Sequence, residues 1–569
     1  MPVAGRPLKL VLLWHMHQPE YRDYGSGEFR LPWVYLHALK DYADMAWHLE
    51  HHPGVQAVVN FTPVLLDQLE DYAEQLASGK LRDPLLRLLA RPAGEPIAEP
   101  QRSLIVERCF PANHAQMQQP FSAYQSLHEL LGVLKACDSL SLSHLSDQYF
   151  DDLLVWHHLR WTGESVRRES RTVMRLLALG TRFSAEDRRA LFEVVAEVVR
   201  AIIPRYAKLA ASGRIELSAT PQHHPLAPLL INFAAARESE PSAPLPQSPG
   251  YPGGYGSVRW QLESALESHR RRFGAAPAGI WPAEGGISAP FLELLAAAGC
   301  RWAASGGQVL KNSLGGEPGA LLYRPQRFTC PKGAVTLFFR DDRLSDRIGF
   351  EYAKWNSHDA AANLIAELEA IAAAAGADAP LVSIILDGEN CWERYAYNGY
   401  YFLSALYQSL ESHPAIRTAT YSGVAGEATG VALPRLVAGS WVYGSFSTWI
   451  GTPEKNRAWE LLCSAKQSFD LAMAGGRLTA AQAEAARRQL AACEASDWFW
   501  WIGSGNHGGT VAEFEALFRS SLGSLYRLLD LPAPATLDQP IGRARAGGDA
   551  QGAMRRSVKE SVPVATPAA

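Results

Sequence analysis

Two acidic motifs stand at the ends of apolar runs. Ile280-Trp281-Pro282-Ala283-Glu284 and Ile385-Leu386-Asp387-Gly388-Glu389-Asn390 each follow a stretch that reads as a short buried strand. Each strand would deliver one carboxyl group, Glu284 or Asp387, at its C-terminal end, with Trp281 or Trp392 close by. Glycoside hydrolysis needs such a set. One carboxyl protonates the leaving oxygen, and the other attacks the anomeric carbon or activates water. Residue chemistry alone does not say which acid attacks. Each also has a plainer reading: Glu284 as a solvated loop acid, Asp387 as turn chemistry before a helix.

Other residues could join them. Glu389 either orients Asp387 or pairs with Arg394. Glu216 lies inside a short strand, and a buried Glu needs a partner. A sugar hydroxyl, a site histidine or a structural ion pair would serve. His15 and His17 follow the first apolar run, and their spacing puts both imidazoles on one side of an extended chain. They can donate to a sugar ring or, with His223, His224 or Asp387, hold a divalent metal. Trp281, Trp392, Trp441 and Trp449 either line a sugar site or pack in the core. Trp281, three residues before Glu284, is the best placed of them. His507 follows the Trp498-Phe499-Trp500-Trp501 run and either reaches the site or sits on the surface.

The elements that must position these groups recur along the chain. Apolar runs at residues 9–14, 55–62, 214–217, 278–281, 335–339 and 381–386 end in polar or Pro-containing segments. Helical stretches separate them, which points to a parallel α/β sheet or barrel with elaborated loops. Residues 187–212 read as an amphipathic helix started by Ser184 and Asp187 and stopped by Gly213. Residues 241–256 are Pro/Gly-rich and read as a loop near the site mouth. Helices are predicted at 454–474, 479–495 and 510–529. These readings divide the chain into a catalytic barrel over 1–430, a helical C-terminal domain over 431–532 that completes the catalytic groove, and a tail over 533–569. The tail is expected to be disordered because it has few apolar residues.

The bulk composition narrows the function classes. A chain of 569 residues is long enough for two or three domains. Its net charge of −4 argues against a partner held through nucleic-acid phosphates. The 7 cysteines form no CxxC pair, so neither a zinc ribbon nor a dithiol site is indicated. Scattered cysteines, no signal-like N-terminus and no long apolar run lead to the expectation of a cytoplasmic protein without a membrane partner.

Taken in order, His15-Met16-His17-Gln18-Pro19, Gly213-Arg214-Ile215-Glu216-Leu217-Ser218, Trp281-Pro282-Ala283-Glu284-Gly285, Leu386-Asp387-Gly388-Glu389-Asn390 and the segment from Ser447 to Trp459 resemble the motifs of glycoside hydrolase family 57. Asp497-Trp498-Phe499-Trp500-Trp501 adds a likeness to its α-amylase/amylopullulanase branch. The resemblance implies an incomplete (β/α)7 barrel followed by helices, and a retaining enzyme acting on α-glucans or malto-oligosaccharides without a cofactor or metal. It makes Glu284 the nucleophile and Asp387 the acid/base. It favours His15 and His17 as hydrogen-bond donors to a glucose ring, and with Glu216, Trp281, Glu389, Trp392, Trp449 and His507 they make up the expected substrate-binding set. A 4-α-glucanotransferase of the same family, a metal-dependent hydrolase built on His15 and His17, and an inactive glycan-binding protein are the competing readings. Ala303-Ala304-Ser305-Gly306-Gly307 departs from relatives that carry an acidic pair near Gly306-Gly307.

Overall fold

The apolar runs fold as strands because each can be buried on both faces, inside by a barrel core and outside by helices. The computed structural model describes residues 7–23, 25–110, 121–136, 141–375, 379–427, 430–503, 508–542 and 554–557. Its strands are β1 (Leu8–Met16), β2 (Ala57–Phe61), β3 (Ile215–Ala219), β4 (Gly279–Ile280), β5 (Trp302–Gly306), β6 (Gln326–Cys330), β7 (Gly333–Arg340), β8 (Leu381–Asp387), β9 (Ile416–Thr418) and β10 (Val431–Ala432). They form one sheet in the order β10-β6-β7-β5-β4-β3-β2-β1-β8, with β9 on β1. From β7 through β1 to β8 every pairing is parallel, which makes seven barrel strands. Only β6 runs antiparallel to its β7 neighbour.

The ring closes between β7 and β8 through individual bonds. The Asp341 N–H donates to the Ser383 carbonyl at 2.8 Å, and Arg340 Nε donates to the Ile385 carbonyl at 2.8 Å. This is the incomplete (β/α)7 barrel followed by helices. β5, like the short β6, β9 and β10, is not among the apolar runs of the sequence, because its small residues, Ala303 to Gly306, carry little hydrophobic signal.

Register sorts the barrel interior into layers. Leu13 pairs with Val58 and Ile385, and Val58 pairs with Glu216. Two residues further along, His15 pairs with Asn60 and Asp387, and Asn60 with Ser218. The strand period of two puts both sets on the same face. The lower layers are apolar, with Val11, Leu13, Val58, Trp302, Phe338, Ile385 and Tyr421 in one buried cluster. The upper layer is polar and lies at the C-terminal ends of the strands, where barrel sites are built.

The long helix Ala185–Ala211 begins with a Ser184/Asp187 capping box, one turn or less from the predicted start. Of the loop read over 241–256, residues 241–253 are irregular and 254–256 open the helix Gly254–Phe273; the irregular part faces the C-terminal helices, where Ser248 bonds Glu460 and Tyr251 donates to Glu494 at 2.7 Å. The C-terminal helices are Pro453–Ala474, Ala480–Cys493, Ser496–Trp501 and Gly508–Leu528. The short helix Ser496–Trp501 was not anticipated. It is tied to the barrel through the Ser496 N–H, which donates to the His224 carbonyl at 2.9 Å, and through a bridge between Pro225 and Ala495.

Residues 554–557 are also placed against the barrel, with Ser557 buried. This part of the expected disordered tail therefore has defined partners, because its polar groups meet buried polar groups rather than apolar area. The six described cysteines are free, and among the described residues no helix is long and apolar enough to cross a membrane.

Candidate active site

Asp387 ends β8, directly beside His15 in the ladder. The turn after it is pinned: the Gly388 N–H donates to the His15 carbonyl at 2.7 Å, and a Cβ at Gly388 would lie 2.1 Å from Met16 Sδ. Glycine is thus required by close approach. Asn390 Nδ2 donates to Asp387 Oδ2 at 3.0 Å.

Glu284 follows β4 in a left-handed conformation, φ 57°, unusual for a residue with a side chain. Such strain persists where the surroundings over-determine it. Here they do. The Trp441 N–H donates to the Glu284 carbonyl at 3.1 Å, Trp441 Nε1 donates to Glu284 Oε2 at 3.2 Å, and Ser496 Oγ donates to Oε1 at 2.9 Å. The carboxylate is held from two sides by parts of the chain far from it in sequence.

A histidine chain runs away from Ser496. His224 Nδ1 lies 2.9 Å from Ser496 Oγ, His224 Nε2 lies 3.1 Å from His15 Nε2, and His15 Nδ1 lies 2.7 Å from Asn60 Oδ1. His17 stacks on His224 with centroids 3.8 Å apart. Its Nδ1 meets Thr62 Oγ1 at 3.0 Å, and its Nε2 meets Asp497 at 2.9 Å.

Burial controls the acidities. Burial, then the charges of Asp497 and Asp387, pushes Glu284 up to about 8 against the Ser496 and Trp441 bonds. Burial raises Asp387 to about 6, moderated by the Asn390 bond and by His17 and Arg340. Burial and the charges of Asp387 and Asp41 hold Glu389 well above the usual range. Burial first, and then neighbouring imidazoles, lowers His15 to about 3 and His224 well below its usual value, so both are neutral near pH 7. Glu284 and Asp387 thus share one electrostatic site with separated acidities, the arrangement in which one carboxyl is an acid while the other is a base or nucleophile.

Among the described residues, His17, His224 and Asp497 bring ligand atoms within 4.8 Å of one another. The set does not suit a cation well. Both nitrogens of each ring already have partners, Asp497 itself being the partner of His17 Nε2, so a cation would have to displace hydrogen bonds that the chain makes internally.

Several expected substrate residues lie elsewhere. Glu216 is one layer below the site, where its carboxylate accepts from Trp302 Nε1 at 2.8 Å and from the Ser422 N–H at 2.9 Å. Its partners are neutral donors on the barrel floor, neither a sugar nor an ion pair. Trp281 has 0% exposure and packs between His15 and Trp441, with centroids 6.1 and 5.2 Å away, so it supports the site from beneath. Trp392 is buried on Trp14 and Phe402, and Trp449 on Trp500; both are core. Glu389 accepts from the His17 N–H at 3.1 Å and from Gln18 Nε2 at 3.3 Å, and these bonds, not Arg394, orient it. His507 lies outside the described residues.

Ser496, Asp497 and Asn60 are site residues that the sequence does not single out, and Trp441, one of the four candidate tryptophans, holds Glu284 rather than a sugar. The only local signal was the position of Ser496-Asp497 at the head of the Trp/Phe run. Gly306, the departure noted in β5, has a structural reason: a Cβ there would lie 2.7 Å from the Trp441 Cα.

Known proteins bear on this geometry. The sequence model described as glycosyl hydrolase family 57 matches residues 11–436. A comparison with curated proteins finds no match. Among solved structures, the chain resembles a GH57-type branching enzyme from Pyrococcus horikoshii at 15% identity and TM-score 0.56, covering 93% of this chain and 95% of that one. It resembles the α-amylase AmyC of Thermotoga maritima at 15% identity and TM-score 0.55, covering 92% and 93%. It also resembles a 4-α-glucanotransferase of Thermococcus litoralis at 14% identity and TM-score 0.52, covering 92% of this chain and 60% of that one.

Proposed function

This chain belongs to glycosyl hydrolase family 57, and from that premise we propose that it is a retaining enzyme acting on α-glucans, with Glu284 as nucleophile and Asp387 as general acid/base. The single observation that carries the assignment is the pair itself: a buried Glu284 and a half-buried Asp387 at the C-terminal ends of two barrel strands, with the charge of Asp387 acting on Glu284. The roles follow the family motifs; in the free chain Glu284 is the weaker acid, so its proton must pass to Asp387 as the glycan binds. The branching enzyme, amylase and glucanotransferase of similar fold bear names that denote work on α-glucans, which supports the substrate class.

In the first step Glu284 Oε attacks the anomeric carbon as its bond to the glycosidic oxygen breaks. Asp387 gives that oxygen its proton. In the second step Asp387 takes a proton from the incoming hydroxyl, whose oxygen displaces Glu284 from the anomeric carbon. Water as acceptor gives hydrolysis; a glucan hydroxyl gives transfer. Hydrolysis of α-1,4 and α-1,6 linkages is the leading reading, and the first step is common to both outcomes. Ser496 and Trp441 hold the nucleophile in a fixed orientation, and the chain of His224, His15 and Asn60 backs the Ser496 hydroxyl.

The test is a product analysis on amylose, maltoheptaose and pullulan, with two variants. Glu284→Gln is expected to lose turnover on every glucan by about a millionfold or to the assay limit, the scale on which loss of a nucleophile acts. Asp387→Asn is expected to be as severe on glucans but to keep the first step on substrates with activated leaving groups, which need no proton. Wild-type turnover in Glu284→Gln would place the nucleophile elsewhere.

A further inference from the structure

A four-residue segment near the C-terminal end of the described chain touches three walls of this site. Ser557, 2% exposed, is its anchor. Its N–H donates to Asp346 Oδ2 at 2.8 Å, its hydroxyl donates to Asp346 Oδ1 at 3.0 Å, and it accepts from Arg340. The Ser557 carbonyl accepts from the Tyr443 N–H at 2.8 Å. Tyr443 is itself in the left-handed region, φ 60°, two residues after the Trp441 whose indole holds Glu284. Arg340 lies under the Trp441 ring at 5.7 Å and bonds the Ile385 carbonyl on the Asp387 strand. Ser557 thus joins the loop that holds one carboxyl to the barrel seam beside the other.

The residues before it complete the bridge. A Cβ at Gly349 would lie 2.9 Å from Met554 Cε and 3.7 Å from Leu386 Cδ2, so Gly349 is bordered both by Met554 and by the residue preceding Asp387. The Arg555 guanidinium sits 4.7 Å over the ring of Trp500, in the helix that begins with Ser496. Arg556 bonds Glu351 at 3.3 Å. The segment is therefore held at every residue.

We propose that residues 554–557 are a working part of the active site, a clamp in which Ser557 positions Trp441 against Glu284 and Arg555 completes the cleft wall beside it. Burial lowers the Arg555 guanidinium below its ordinary value, and the charges of Tyr443 and Glu284 oppose that, consistent with its placement in the cleft wall. Arg555 and Ser557 are positioning residues. Their role rests on the reading of Glu284 as the reacting carboxylate.

The test compares the full chain with one ending at Val558, one ending at Ala553, and the variants Ser557→Ala, Arg555→Ala and Arg555→Lys. Turnover on amylose is measured together with hydrogen exchange of residues 439–445. The chain ending at Val558 should match the full chain. The chain ending at Ala553 and Ser557→Ala should lose kcat by about ten- to a hundredfold with little change in KM, the cost of a misplaced reacting group. Arg555→Lys should keep more turnover than Arg555→Ala. The Tyr443 amide should exchange faster without the clamp, and a peptide spanning residues 550–562 should restore turnover to the chain ending at Ala553. Unchanged kcat in Ser557→Ala would overturn the proposal, and so would higher kcat in the shortened chain, which would make the segment an inhibitor. A full chain inactive on amylose would instead sink the functional reading. Tyr443 exchange would still decide the clamp, because unchanged exchange on removing it would refute the contact on its own.

Discussion

Glu284 and Asp387 are two acids whose environments set them apart. The pair gains its two protons in steps near pH 8 and pH 6, and only between them does it hold one proton, so that one acid and one carboxylate coexist. The pH dependence of kcat/KM is therefore expected to be bell-shaped, falling below about 6 as both groups are protonated and above about 8 as both ionise. The indole N–H of Trp441 favours ionised Glu284. Trp441→Phe removes that donor, so the upper limb should move to higher pH while the fold is kept. A pH profile measured on a soluble malto-oligosaccharide checks both, and a flat profile from pH 5 to 9 would contradict the shared-proton picture.

At the scale of the element, the helix Ser496–Trp501 matters more than its length suggests. Ser496 bonds Glu284, and Asp497 meets His17 and adds a negative charge near Glu284. Removing that charge in Asp497→Asn should lower the pKa of Glu284, so the upper limb moves to lower pH, opposite to Trp441→Phe. Loss of the His17 contact should also raise KM several-fold. The same geometry bears on metals. Because each nitrogen of His17 and His224 is already bonded within the protein, exhaustive chelation is expected to leave turnover unchanged. One tightly held zinc per chain, lost in His17→Ala, would refute this.

At the scale of the whole molecule, the site is carried at a cost in stability. A carboxyl whose pKa is raised on folding contributes most below its unfolded value and loses that contribution as pH rises to the folded one. For Glu284 the window runs from about 4.5 to about 8. Glu284→Gln should therefore melt higher than the wild type at pH 8, by an amount on the order of a few kcal/mol, with the gap closing towards pH 5. Thermal melts at the two pH values read this directly; a gap that widens on acidification would reverse the sign.

What was legible without the structure was local. Runs such as Leu10 to Leu13 and Val382 to Ile385 announce strands because apolar side chains must leave water, and the acids after them mark the strand ends. Asp387 and Glu284 could be named for that reason. Distant polar convergence could not be read. Ser496 is 212 positions from Glu284, and no periodicity encodes their meeting. An aromatic near an acid looks the same whether it faces a sugar or the core, so Trp392 and Trp449 misled. Glu216 was misplaced by a single barrel layer, which depends on register between strands. The segment ending in Ser557 has little apolar area of its own. Its partners, Arg340, Asp346 and Tyr443, come together only once the barrel has closed, and tertiary structure alone decides that it docks.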